Sequence, residues 1–355
     1  MIKEKRITPY FKRKLESIEV KIPKKISELL MEMAKTGFQG RKLGEVVDVW
    51  EEMLKDDVVI FFGYAGSMST TGQWKIINWL IEKRFIDVIV STGANISEDI
   101  LEAMGGTYWQ GHSLVDDADL ARYKIDRFYD IFADELEYEQ MESLIADFMT
   151  KLRPNYNYSS AEFLYLFGKY LSENNIKSII ATAYEKRVPV FSPAIVDSAY
   201  GVAYIVNRRR SRGEFSILID QMKDFEQLVE IKRKFKNSGV IYIGGGVPKD
   251  FIQLSAIASS ITEDGRYGPP SPHKYAIQIT TDAPHWGGLS GCTFEEAISW
   301  GKESKEGRNV QCYCDATIAL PIVVHALAER VKERVTWPDL SWVFNGLKQT
   351  GLEIS

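Results

Sequence analysis

The sequence predicts an α/β protein: a mostly parallel sheet flanked by helices and preceded by an N-terminal helical segment. Three observations carry this. Seven short apolar runs alternate with stretches of helical periodicity. The runs are apolar on both faces and rich in β-branched residues, as strands covered by helices on both sides are. Each run ends in a glycine, a small residue or an acid.

In order along the chain, Ile26, Leu29, Leu30 and Met33 share one helical face. A glycine-rich turn follows, and Val46, Val47, Trp50 and Leu54 mark a second helix. The apolar runs then fall at residues 58–62, 88–90, 189–191, 215–219, 240–243, 275–279 and 310–314. Residues 106–170 are more acidic and aromatic, and are expected as helices and long loops on one side of the sheet. This organisation is a Rossmann-like α/β catalytic domain, 57–355, with a helical segment, 1–56, packed on it.

Composition narrows the function classes. A chain of 355 residues, 45% hydrophobic and 26% charged, can bury a large core. A net charge of -5 argues against a general nucleic-acid surface. The basic clusters at residues 3–6, Lys24-Lys25 and Arg208-Arg209-Arg210 are short, and read as solvated faces or subunit contacts. Cys292, Cys312 and Cys314 contain no CxxC pair, which argues against a disulfide framework and a structural zinc site. No residues have metal-ligand spacing. No apolar signal region follows the N-terminus and no stretch reaches membrane-spanning length, so the expectation is a cytoplasmic protein with no membrane partner. His325, in an apolar helix at 321–328, is expected as a satisfied core histidine.

In open parallel sheets, ligands bind at the carboxyl ends of the strands. Three of those ends are rich in small and hydroxyl residues: Gly63-Tyr64-Ala65-Gly66-Ser67-Met68-Ser69-Thr70-Thr71-Gly72, Ser91-Thr92-Gly93-Ala94-Asn95, and Gly244-Gly245-Gly246-Val247. Such turns bring backbone N–H groups close to a phosphate. Thr70 and Thr92 can add donors, and Glu98 and Asp315 can accept from ribose hydroxyls. The bland alternative is three tight turns that need positive φ. Neither GxGxxG nor the P-loop pattern is present.

One further segment carries chemistry: Glu295-Glu296-Ala297-Ile298-Ser299-Trp300-Gly301-Lys302. An amine beside an indole and a glutamate can be desolvated and steered, and a neutral amine attacks a carbonyl or imine carbon. Lysines near helix ends are also common for dipole reasons alone.

Taken together, these motifs resemble the deoxyhypusine synthase family, and among its members the bacterial deoxyhypusine synthase-like proteins. The resemblance runs from Gly37-Phe38-Gln39 to about Ala326. It is carried by Phe62-Gly63-Tyr64, Val90-Ser91-Thr92-Gly93-Ala94 with Glu98-Asp99, Val190-Phe191-Ser192-Pro193-Ala194 with Asp197, Gly244-Gly245-Gly246-Val247, the Lys302 segment and Asp315-Ala316. The resemblance implies oxidation of a donor amine by NAD, capture of an aminobutyl group by a lysine as a Schiff base, and transfer to an acceptor amine. It implies that Lys302 is that lysine and that Glu296 and Trp300 line the amine pocket. It implies that Thr70, Thr92, Gly93, Ala94, Glu98, Asp197, Gly245, Gly246, Thr281, Ser290 and Asp315 hold NAD. It also implies a homotetramer with sites at a dimer interface.

The donor pocket departs from the family pattern. Val202 and Leu289 stand where acids are expected, and Asp250 stands where a histidine is expected after Lys249. Facing an ammonium group with Val or Leu removes a charge-assisted bond, a loss of about 2–5 kcal/mol when buried. Asp282, His285 and Trp286 are new groups nearby that can recognise a displaced ammonium or a guanidinium; alternatively their loop packs Trp286 and leaves His285 in water. The expectation is therefore an NAD-dependent aminoalkyl transferase acting on a polyamine-like donor, with Asp250, Asp282 and His285 in the substrate site. The alternatives are a true deoxyhypusine synthase modifying a protein lysine, and a catalytically silent NAD-binding subunit.

Overall fold

The computed structural model describes residues 12–350; the basic cluster at residues 3–6 lies outside them. Two helices, Ile26–Met33 and Phe38–Lys55, precede the first strand. The turn between them is shorter than its glycines suggest, because Gly40 and Gly44 lie inside the second helix. Gly44 lets the helices touch at backbone level: a Cβ there would sit 2.4 Å from the Leu30 carbonyl oxygen.

The strands, in chain order, are β1 (Val59–Tyr64), β2 (Val88–Ser91), β3 (Trp109–Gln110), β4 (Ile125–Phe128), β5 (Ile131–Asp134), β6 (Asn157–Tyr158), β7 (Val190–Phe191), β8 (Leu218–Ile219), β9 (Ser238–Ile243), β10 (His273–Thr280) and β11 (Glu303–Tyr313). Six form one sheet in the order β11-β10-β9-β1-β2-β7, and every neighbouring pair is parallel. Chain order within that sheet reverses at β1 and β9, the doubly wound arrangement whose crevice opens between those two carboxyl ends. β1, β2 and β9 are buried along their whole length. Helix Phe38–Lys55 packs with β10 and β11, Ala316–Arg330 with β10, Ser160–Glu173 with β7, and Gly246–Ala258 with β1 and β2.

Six of the seven expected apolar runs enter this sheet. The run at 215–219 does not. Only Leu218 and Ile219 pair, with β6, in a separate two-stranded sheet. Leu218 is half exposed, so the run lacks the two covered faces of a central strand. Residues 106–170 contain more than helices and loops: β3, β5 and β4 form a small antiparallel sheet. β4 and β5 are joined by the two-residue turn Tyr129-Asp130, with Tyr129 at φ 56°. Tight hairpin turns of this kind are usually signalled by Gly or Asn, which are absent here.

His325 is not a core histidine. It is exposed, and its Nδ1 donates to the Pro321 carbonyl, 2.7 Å away one turn back in the same helix. The buried histidine is His273, whose Nδ1 meets Ser238 Oγ at 2.8 Å. No helix among the described residues is long and apolar enough to cross a membrane. Among them, no group of His, Cys, Asp or Glu is placed to hold a metal ion.

Candidate functional site

The crevice between the carboxyl ends of β1 and β9 is built by loops that lock onto one another. Asn95, after β2, accepts from the Met68 amide at 3.0 Å, and its carbonyl accepts from Ser69 Oγ at 2.6 Å. The loops after β1 and β2 are thereby fixed together. Thr70 donates its hydroxyl to the Ser67 carbonyl at 2.9 Å, so the donor expected of it is used inside its own loop. Thr92 instead accepts from Asn95 Nδ2 at 3.3 Å, which keeps its own O–H free to donate. Gly93 is required by close approach: a Cβ would meet Ser198 Oγ at 2.3 Å and the Ile195 carbonyl at 2.8 Å. That contact holds the loop carrying Asp197, which is exposed, against the β2 end. The Ala94 carbonyl accepts from the Glu98 amide at 2.9 Å and starts the helix Glu98–Ala103.

The turn after β9 is shaped by glycine. Gly244 and Gly246 have φ of +70° and +60°, the left-handed region. At Gly245 a Cβ would fall 2.4 Å from Ser290 Cα. Ser290 Oγ accepts from the Gly246 amide at 3.1 Å. The helix Gly246–Ala258 begins here with no N-cap side-chain bond, and Ser290, from outside the helix, takes the Gly246 amide instead. The cleft in front is about 330 Å³ and is lined by the loops after β1 and β9, by Thr281 and Asp282 after β10, and by Asp315. It shares Thr71, Asp315 and Thr317 with a larger cleft of about 1020 Å³ that reaches Tyr108 and Trp109.

The two carboxylates expected at this crevice differ in setting. Glu98 is buried, one of its oxygens has no partner, and burial pushes its pKa up to about 7. Asp315 caps the helix Ala316–Arg330, accepting at one oxygen from the Thr317 amide (2.7 Å) and hydroxyl (2.5 Å). Its capping role leaves the second oxygen for a ligand.

Lys302 is tied to this crevice through the helix Gly246–Ala258. It follows Gly301, whose φ of +74° turns the chain from the helix Phe294–Ser299 into β11. Lys302 is 8% exposed, and its Nζ donates to Asp250 Oδ1 at 2.7 Å. The amine sits 5.5 Å from the Trp300 ring centre, and Trp300 itself is 66% exposed. Asp250 is on the helix that starts at Gly246, so one short segment carries both the glycine turn and the carboxylate that holds the amine.

Glu296 is occupied within its own helix, where Thr293 and Glu296 cap the first turn reciprocally, at 3.1 and 3.3 Å. It is exposed, as are Asp282 and His285. His285 faces Trp286 with ring centres 4.5 Å apart, and Trp286 is exposed rather than packed down.

Sequence reasoning missed the polar layer beneath Lys302. Lys249 is buried, and its Nζ donates to Gln278 Oε1 (2.9 Å) and the Cys292 carbonyl (2.6 Å). Gln278 also accepts from Gln311 Nε2 and donates to the carbonyls of Gly244 and Ser290, each at 2.8 Å. Gln253 donates to Glu303 at 2.8 Å. The signal was present in a lysine, an aspartate and a glutamine at 249, 250 and 253 of a helix whose other residues, Ser255 apart, are apolar or glycine. Gln278→Leu should destabilise the fold by about 2–4 kcal/mol, because it strands several buried partners. Urea unfolding checks this, and an unchanged midpoint would contradict it.

Burial pushes Glu98, Asp99, Asp224 and Glu303 each up to about 7. Between the ordinary carboxyl range near 4 and about 7, the folded state therefore binds more protons than the unfolded chain. Stability then falls as pH rises through that window. Calorimetry of the ligand-free protein should show Tm decreasing from about pH 5 to about pH 8; a rising Tm would contradict the burial of these acids.

The chain is similar in sequence and in fold to known proteins. The family model described as deoxyhypusine synthase matches residues 28–327. A protein of Methanosarcina mazei named "Probable deoxyhypusine synthase 2" is 45% identical, with 92% of this chain and 93% of the relative covered. A "Deoxyhypusine synthase-like protein" of Chlorobaculum tepidum is 38% identical over 83% of this chain and 84% of its own. A crystal structure described as a putative deoxyhypusine synthase from Entamoeba histolytica shares the fold, with a TM-score of 0.61 at 16% identity, covering 88% of this chain and 96% of its own.

Proposed function

The chain belongs to the deoxyhypusine synthase family of transferases, and from that premise we propose that it is an NAD-dependent aminoalkyl transferase working through an imine at Lys302. The observation that carries the reading is the Lys302 amine, nearly buried and held 2.7 Å from Asp250, on the helix that opens at the glycine turn.

The residues fit a dinucleotide. Gly93 and Gly245 sit where any Cβ would collide, the helix at Gly246 begins without an N-cap side chain, and Glu98 keeps a buried oxygen without a partner. Gly245, Gly246 and Ser290 would lie at the pyrophosphate, and Glu98 and Asp315 at ribose hydroxyls. Thr92, Ala94, Asp197 and Thr281 would border the group. When bound, NAD would supply a hydride acceptor for the donor's amine and, once reduced, a hydride for the product.

The chain's own residues do the rest. Asp250 accepts a proton from Nζ and leaves the amine free to attack the oxidised donor carbon. The same carboxyl can return the proton to the departing amine. Trp300 covers the amine from one side and can hold a cationic donor against its face.

The donor is polyamine-like but is not held in the family's pose, because Val202 and Leu289 present apolar side chains, each nearly half exposed. Asp282 and His285 are the groups proposed to meet its far end. The acceptor is a small amine. A second reading, transfer to a protein lysine, is favoured by the name of the Methanosarcina relative. We further propose a cytoplasmic homotetramer with sites at a dimer interface, in which a partner covers the exposed Trp286 and Trp300.

Incubation with NAD and a panel of spermidine, putrescine, agmatine and homospermidine tests the reading. Mass spectrometry should find one amine consumed, and cyanoborohydride should trap its fragment on Lys302. Failure of the folded protein to bind NAD, or to trap any amine, would overturn it.

A further inference from the structure

Beneath Lys302 lies a second carboxyl that the proposed transfer does not use. Glu303 is 1% exposed. One of its oxygens accepts from Gln253 Nε2 at 2.8 Å, and the other has no hydrogen-bond partner. The groups acting on it are Gln253 and Lys249 from the helix Gly246–Ala258, Tyr242 from β9, and its neighbour Lys302. Asp250 completes the set through its ion pair with Lys302 and its influence on Lys249.

This is a group of two amines and two carboxyls, closed off from solvent except at Asp250, whose side chain is 23% exposed. With all four ionised, the charges cancel. When Lys302 loses a proton to become a nucleophile, the sum becomes one negative charge in a site with little solvent, a costly state. One carboxyl must then take up a proton. Asp250 is the first acceptor and relays the proton while it stays paired with the Lys302 amine; Glu303, with a free oxygen, is the carboxyl able to keep it. Burial also raises the proton affinity of Glu303 into the neutral range.

We propose that Glu303 is the charge-compensating partner of Lys302: as the lysine gives up a proton, Glu303 takes one up, so the four-group cluster stays neutral in both states. An N–H bond of the ammonium breaks, its electron pair stays on nitrogen, and an O–H bond forms on Glu303. Nothing is oxidised or reduced. Asp250 is the first acceptor on the way out. Glu303 is therefore a positioning residue that acts through the charge of Lys302, and the inference rests on Lys302 being the nucleophile proposed above.

The test is competitive labelling of Lys302 with acetic anhydride across a pH range, on the full ligand-free chain, read by peptide mass spectrometry. A carboxylate near an ammonium favours the charged form. Wild type and Glu303→Gln should label alike below about pH 6, where Glu303 is neutral. Near pH 8.5 the variant should label about threefold to tenfold faster, since a one-unit shift is tenfold. Superimposed profiles in two equally folded proteins would overturn the proposal. Gln253→Leu, which keeps the carboxyl and removes the amide that donates to it at 2.8 Å, should move the inflection of the wild-type profile to higher pH. An unmoved inflection there would overturn the proposal even if Glu303→Gln failed to fold. The labelling needs neither cofactor nor donor. If the profiles differ but no amine is ever trapped on Lys302, the transferase reading fails and the charge coupling stands.

Discussion

Lys302→Ala is expected to abolish aminoalkyl transfer, by about 10⁴-fold or more, as loss of a covalent nucleophile does. Binding of NAD should remain near the wild-type level, because no cofactor-cleft residue depends on the Lys302 side chain. Its hydrogen-bond partner is Asp250, which does not line that cleft. Lys302→Arg should be as inactive as the alanine variant, since a guanidinium keeps its proton and cannot attack. Some consumption of donor can survive in both variants, because oxidation of the amine precedes its capture. Product analysis by mass spectrometry, beside a cofactor titration, separates the two steps. Full transfer activity in Lys302→Ala would overturn the imine mechanism, whatever the donor.

Restoring acids at the two apolar donor positions should have the next largest effect. Val202 lies on the helix Ala199–Arg210 and Leu289 in the short turn Leu289–Gly291. Each is nearly half exposed, so an aspartate can be placed there without opening a cavity. Val202→Asp with Leu289→Asp should raise kcat/KM for spermidine by about 10²-fold relative to the native donor, the equivalent of one regained charge-assisted contact. Each change alone should give less, because the two acids would meet separate parts of one polycation. If wild type already prefers spermidine and the acids add nothing, the donor pocket is not altered in the way proposed.

The sheet was legible because a central parallel strand writes its environment into its own residues. Val59–Tyr64 and Ser238–Ile243 are apolar at nearly every position and buried at all of them. The strands that sequence reading missed obey no such rule. Ile125–Phe128 carries Asp126 and Arg127, is partly exposed, and turns back through a tyrosine rather than a glycine. Leu218–Ile219 read as part of a longer strand because its apolar character is local, while pairing depends on what lies beside it in space. The site followed the same division. Glycines at 93, 245 and 246 and the lysine at 302 announce themselves, since backbone approach and amine chemistry admit few residue types. The partnership of Lys302 with Asp250 spans 52 positions and has no local signature. The burial of Glu303 likewise depends on the helix Gly246–Ala258 lying across it. Thr70, Glu296 and Asp315 show the converse, since each matches a ligand position by sequence yet also bonds its own loop or helix end.

Gln278 joins parts that would otherwise answer to separate ligands. Its one side chain grips the Gly244 carbonyl, the Ser290 carbonyl and the Lys249 amine together. A molecule that draws the glycine turn toward itself must pull on this amide, and through it on the helix that carries Asp250. Thermodynamic reciprocity then binds the two halves of the site: whatever free energy the cofactor lends to amine binding, the amine must lend back to the cofactor. The order in which the two ligands arrive would be written not in a moving lid but in the rigidity of one glutamine.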